Sequence, residues 1–165
     1  MKEKEKFYAI LHNIRSCYNV GSIFRIADAV SIDKLYLTGY TPSPDENQKI
    51  AKTALGAENY VQYEKIKNLK KLIEKLKMEG VKIVALETTK DALLYFNFLP
   101  KFPLALIVGN EVRGIDQRTL KKCDLILKIP MTGKKESLNV AVAFAIVAYY
   151  IRVKTKFKKF FEDNK

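Results

Sequence analysis

The sequence is poor in the side chains that usually carry nucleophilic and metal chemistry. It holds one histidine, His12, and two cysteines, Cys17 and Cys123. No CxxC pair forms and no histidine or carboxylate cluster has ligand spacing, so no metal centre is expected and the two thiols read as free and buried. A histidine-based triad could use only His12, beside Asn13, and a polar histidine satisfied at a strand end is the simpler account. No GxGxxG follows the first strand, and neither GxxxxGK[ST] nor GxSxG occurs. Ordinary dinucleotide binding, P-loop hydrolysis and the nucleophile elbow are thereby disfavoured. The most apolar run, 138–151, is interrupted by Asn139 and falls short of the roughly 20 residues of a membrane span. The opening MKEKEKF is charged, with no apolar stretch behind it long enough for a signal peptide. A cytoplasmic protein without a membrane partner is expected.

What is present is basic and apolar. Lys and Arg outnumber Asp and Glu by 30 to 18, a net charge of +12. That balance points to a polyanion partner, nucleic acid ahead of membrane. An apolar fraction of 48% in 165 residues suits one domain, 1–165, with a core at about 7–153 and a basic tail at 154–165. The tail, KTKFKKFFEDNK, reads as a frayed helix end whose lysines suit the negative pole of the helix dipole. Apolar runs predict strands at 7–11, 34–38, 81–86, 104–108 and 125–129. Three-and-four spacing predicts helices at 19–30, 65–79 (closed by Gly80), 116–122 and 137–153. Strands alternating with helices argue an α/β fold with a mostly parallel sheet.

Three polar islands interrupt this pattern: HNIRSCYNVGSIFRIADA, VGNEVRGI and IPMTGKKESLNVAVA. Each follows a strand or opens a helix, so together they describe one crevice at the strand ends. Arg25 stands between Phe24 and Ile26. A buried or half-buried arginine there needs a partner, either a carboxylate such as Asp28 or Glu111, or a phosphate. Ser137 is a plausible N-cap of the last helix, with Asn139 in its first turn, and free amides at that end suit an anion or a polar ligand edge.

The islands resemble the three motifs of the SPOUT class of RNA methyltransferases, specifically the SpoU or TrmH group of ribose 2′-O-methyltransferases. The matching segments are NVGSIFRIADA, IVGNEVRGI and IPMTGKKESLNVAVAFAI, with KTALGAE as a fourth likeness, and the resemblance runs from about Phe7 to Arg152. It implies an α/β knot, with a C-terminal trefoil knot, and a homodimer through the knot region. It implies S-adenosylmethionine as cofactor, held by Thr88, Gly109, Ile129, Met131, Ser137 and Leu138. It implies tRNA or rRNA as substrate, with Arg25 central to catalysis and Asn19, Glu111, Ser137 and Asn139 at the other functional positions. Glu111 would hold Arg25 or Asn19 in place. A base-methylating SPOUT enzyme and a catalytically silent RNA-binding protein on the same fold are the alternatives. RNA grip is expected from the dimer surface, including Lys49, Lys52, Lys134 and Lys135. One departure stands out: Ser31 occupies the position where the family has glycine in DAxG. Either serine strains a tight turn before the second strand, or this turn needs no positive φ.

Overall fold

The computed structural model of the protein describes residues 5–156, so most of the basic tail lies outside the described residues. The elements run β1 (Phe7–His12), α1 (Cys17–Ala29), β2 (Lys34–Thr38), α2 (Ala51–Ala54), β3 (Tyr63–Ile66), α3 (Leu69–Met78), β4 (Lys82–Leu86), β5 (Leu93–Leu94), β6 (Leu104–Val108), α4 (Gln117–Leu120), β7 (Leu125–Lys128) and α5 (Val140–Lys156). The seven strands form one sheet in the order β3-β2-β1-β6-β4-β7-β5, and every pairing is parallel.

Both faces of the central strands are buried, which is why β1, β4 and β6 read as nearly continuous apolar runs. Phe7, Ala9 and Leu11 of β1, with Leu104, Leu106 and Val108 of β6, face one core under α1 and α5. Ile10, Ala105, Ile107, Ile83 and Ala85 face the other, under α3. The result is a three-layer α/β/α arrangement whose strand ends all open on the same edge.

Helix termini follow their local chemistry. Ser16 caps α1, its Oγ accepting from the Asn19 amide at 3.2 Å. At the other end Ser31 N donates to Asp28 O and Ile32 N to Ala27 O, at 3.0 and 2.8 Å, a Schellman closure. Ser31 lies in the left-handed region, with φ 55°. The turn does use positive φ, and serine carries the strain that glycine would avoid. The buried Arg152 of α5 completes this end: Nε donates to Val30 O and Nη2 to Ser31 O, each at 2.7 Å. Its guanidinium lies over the rings of Phe7 and Phe102, 5.4 and 5.8 Å from their centroids.

Several expectations are corrected here. The helix expected over 65–79 begins at Leu69, because Asn68 Oδ1 accepts from the Lys71 amide and caps it. Residues 63–66 instead form the edge strand β3. The last helix begins at Val140, not Ser137. Asn139 Oδ1 accepts from the amides of Ala141 and Val142, at 2.9 and 3.3 Å, so Asn139 is the capping side chain. Cys17 and Cys123 are free but only half-buried; burial still pushes the Cys123 thiol up to about 11. No helix among the described residues is long and apolar enough to cross a membrane.

Candidate active site

The carboxyl ends of β4, β6 and β7 and the segment leading into α5 enclose a cavity of about 160 Å³. This is where ligands sit in open parallel sheets. Leu86, Val108, Ile129, Val140 and Ala143 make its apolar walls, and Glu87 and Glu111 stand at its polar side. Thr88, Gly109, Ile129, Ser137 and Leu138, singled out from the sequence, all line it. Met131 does not; it is half-buried on the following loop.

The stretch NEVRGI is a tight turn built by its own asparagine. Asn110 Oδ1 accepts from the amides of Val112 and Arg113 at 2.9 and 2.8 Å, and Gly114 N donates to Asn110 O at 2.9 Å. Gly114 has φ 64°, and a Cβ there would lie 2.2 Å from Glu87 Oε2. Gly109 faces the same crowding, since a Cβ on it would meet the Gly114 carbonyl at 2.6 Å. Glu87 pins the turn from β4, with Oε2 accepting from Ile115 N at 2.9 Å and Oε1 from Thr88 N at 2.8 Å. The buried Asn110 also donates through Nδ2 to Asn13 O and to the Tyr40 hydroxyl, at 3.0 and 2.9 Å. Neither Glu87 nor Asn110 had a role in the sequence reading. The available signal was a carboxamide and a carboxylate arriving where apolar strands end.

Glu111 joins the first two islands. Its carboxylate accepts from Arg15 N at 3.0 and 3.2 Å, from Ser16 N at 2.9 Å and from Asn19 Nδ2 at 3.1 Å. It thus sits on the positive end of α1. Burial opposes ionisation, but the Arg15 and Ser16 amides and Asn19 outweigh it and hold the carboxyl below its ordinary value. Asn19 Oδ1 in turn accepts from Asn139 Nδ2 at 3.0 Å. The chain Glu111–Asn19–Asn139 therefore ties all three islands together, and Asn19 is the group that Glu111 holds.

Arg25 departs from expectation. It is exposed, and among the described residues no ion pair joins it to Asp28 or Glu111. Val20, Ile23, Phe24 and Ala27 take the core face of α1, which turns position 25 outward. Ser137 and the lysines Lys49, Lys52, Lys134 and Lys135 are also exposed. His12 is half-buried. Asn13 Nδ2 donates to its Nε2 at 3.1 Å, and Nδ1 shares a 2.9 Å hydrogen bond with Thr38 Oγ1. Burial lowers its pKa, against a smaller opposing pull from Asp116, so it is a satisfied neutral imidazole. No group of histidine, cysteine or carboxylate side chains among the described residues could hold a metal ion.

The family model described as SpoU rRNA Methylase matches residues 6–149. A Bacillus subtilis (strain 168) protein named for the TrmH family of tRNA/rRNA methyltransferases is 32% identical over 157 residues, covering 91% of this chain and 59% of the relative. The chain thus spans less than two thirds of that relative's length. The A. aeolicus TrmH/SpoU tRNA modifying enzyme superposes with a TM-score of 0.84 at 27% identity, over 98% of this chain and 81% of that one. The AdoMet-bound rRNA methyltransferase of Sinorhizobium meliloti superposes with a TM-score of 0.86 at 25% identity, over 93% and 58% of the two chains. The fold of this chain is that of these neighbours, the α/β knot.

Proposed function

The chain belongs to the SpoU rRNA Methylase family, and on that premise we propose that it transfers the methyl group of S-adenosylmethionine to a ribose 2′-hydroxyl of tRNA or rRNA. The observation that carries the reading is the hydrogen-bonded chain Glu111–Asn19–Asn139 beside a cavity lined by residues of the second and third islands. The donor set fits this cofactor. Apolar walls suit an adenine ring, and the carboxylates Glu87 and Glu111 give a field that suits a cation. When bound, the cofactor supplies a methyl group on a positively charged sulfonium, activated for in-line displacement.

The residues of the chain then divide the work. Gly109, Ile129 and Leu138, with Thr88 and Ser137, hold the cofactor; Met131 is not needed for this assignment. Glu111 is a tie rather than a base. Its Oε1 already accepts from three donors, and its carboxyl is held acidic. With Asn139 it orients Asn19 toward the site. An arginine side chain donates hydrogen bonds and has no acceptor, so Arg25 is not the base and the hydroxyl proton passes to solvent water. Exposed and, among the described residues, without a carboxylate partner, Arg25 is available to the RNA phosphate beside the target ribose, where its charge lowers the cost of an alkoxide-like oxygen. A homodimer through the knot region would cover Val142 and Tyr149 of α5, which are 48% and 47% exposed. A single domain and a cytoplasmic location complete the reading.

The test is incubation with labelled S-adenosylmethionine and separate pools of unmodified tRNA and rRNA, followed by digestion to nucleosides. Label in a 2′-O-methylnucleoside is expected. Label on a base would replace the ribose reading, and failure to bind S-adenosylhomocysteine would end the cofactor assignment.

A further inference from the structure

A second, wider groove of about 680 Å³ lies against the far side of the NEVRGI turn. Asn110 and Val112 line both spaces, so this groove adjoins the cofactor cavity. Arg15, Cys17, Tyr40, Pro42, Asn47 and Arg113 form the rest of its lining. None of these side chains has a part in the methyl-transfer assignment above.

Tyr40 is unusual among the exposed rings. It is 55% exposed, yet it is fixed at two points. Its hydroxyl accepts from Asn110 Nδ2 at 2.9 Å, and its amide donates to Asn13 Oδ1 at 3.2 Å. Asn13 itself adopts a left-handed φ of 56°, and its side-chain oxygen lies 1.8 Å from where a Cβ on Gly39 would stand. The turn is therefore packed so that the ring is held open to solvent at little further entropic cost. The exposed side chains of Arg15 and Arg113 flank the same groove. Their guanidinium forks are permanently charged and match phosphate oxygens. A fixed aromatic face with two such forks is the chemistry that receives an unstacked nucleotide.

We propose that this groove seats one single-stranded nucleotide of the RNA substrate, its base on Tyr40 and its phosphate held by Arg15 and Arg113. Tyr40 is then a substrate-binding residue and Asn110 the positioning residue that fixes it beside the cofactor cavity. The proposal rests on the methyl-transfer reading only for what the nucleotide is brought next to.

The experiment uses the full chain and a fluorescein-labelled, mixed-sequence single-stranded RNA of about 12 nucleotides. Anisotropy gives its affinity for the wild type, Tyr40→Phe, Tyr40→Ala and Arg113→Gln over a salt series. Calorimetry gives S-adenosylhomocysteine affinity for the same proteins. Tyr40→Ala should weaken RNA binding about tenfold or more, while Tyr40→Phe, which keeps the ring but loses the hydrogen bond from Asn110, should lose clearly less. Arg113→Gln should make the slope of log K against log salt shallower by about 0.7. Cofactor-product affinity should not move in any variant. Wild-type RNA affinity in Tyr40→Ala overturns the proposal. So does an equal loss in Tyr40→Phe, which would assign Tyr40 to supporting Asn110, and so does no RNA binding by the wild type. If the wild type fails to bind S-adenosylhomocysteine but RNA binding still depends on the Tyr40 ring, the groove assignment stands and the methyl-transfer reading falls.

Discussion

At the scale of single residues, the site separates into groups that hold geometry and one group left free. Glu111 belongs to the first kind. Because its folded pKa is depressed, its contribution to stability is complete above the unfolded carboxylate value, about 4.3. That contribution is lost as pH falls through the folded value. Glu111→Gln keeps an acceptor oxygen but not the charge, and should cost about 1 kcal/mol at neutral pH after allowance for solvent screening. In denaturant melts the gap between wild type and variant should be flat across neutral pH and close as the solution is acidified below the unfolded value. A gap that persisted in acid would mean that the carboxylate charge contributes nothing. Arg25, exposed and without an ion pair among the described residues, is of the second kind. Being exposed, Arg25→Ala should leave the melting temperature unchanged while methyl transfer falls about 100-fold, the usual cost of losing one transition-state charge contact. Full activity in that variant would remove Arg25 from the mechanism.

At the scale of elements, the end of α1 shows what a local sequence can and cannot tell. Ser31 adopts φ 55° in a Schellman turn, a conformation that costs a non-glycine residue about 1 kcal/mol or more. Ser31→Gly should therefore stabilise the protein by about 1 kcal/mol, readable as a higher denaturant midpoint with unchanged slope. No gain would show that the carbonyl contacts from Arg152 already absorb the strain. The departure was visible in DAVS, residues 28–31, but its sign needed the φ angle. Central strands were legible because both faces are buried and the apolar runs are nearly unbroken. The edge strand β3, YEKI, was not, because none of its residues is fully buried. Ile66 also continues the helical spacing of Leu69, Leu72 and Ile73. Only Asn68, a capping type, marked the boundary. Ser137 and Asn139 posed the same problem in reverse: two capping residues close together, with the choice made by the amides of Ala141 and Val142. The islands themselves were legible as polar interruptions, and their meeting at one edge followed from the parallel sheet. Which side chains would touch was not. Glu111 choosing Asn19 over Arg25 depends on the facing of α1 and on β6 lying beside β1, a pairing between residues 7–11 and 104–108 that no local pattern encodes.

At the scale of the whole molecule, the cavity exists only when the sheet is assembled. Its lining runs from Leu86 on β4 to Ala143 on α5, and in the unfolded chain those residues are not together. A ligand of this cavity therefore binds the native state alone, and linkage turns its affinity into stability. At 100 times its dissociation constant, S-adenosylhomocysteine should add about 2.7 kcal/mol, a rise of roughly 5–10 °C in melting temperature for a chain of this size. Arg25→Ala should show the same rise, since Arg25 does not line the cavity, even though its methyl transfer is impaired. That pairing separates binding from chemistry. An equal shift with lost transfer places Arg25 on the RNA side of the reaction. A diminished shift would mean that Arg25 supports the cofactor cavity from a distance, and would move its role from phosphate to cofactor. No shift in either protein would leave the knot fold intact and empty the cavity of its assigned ligand.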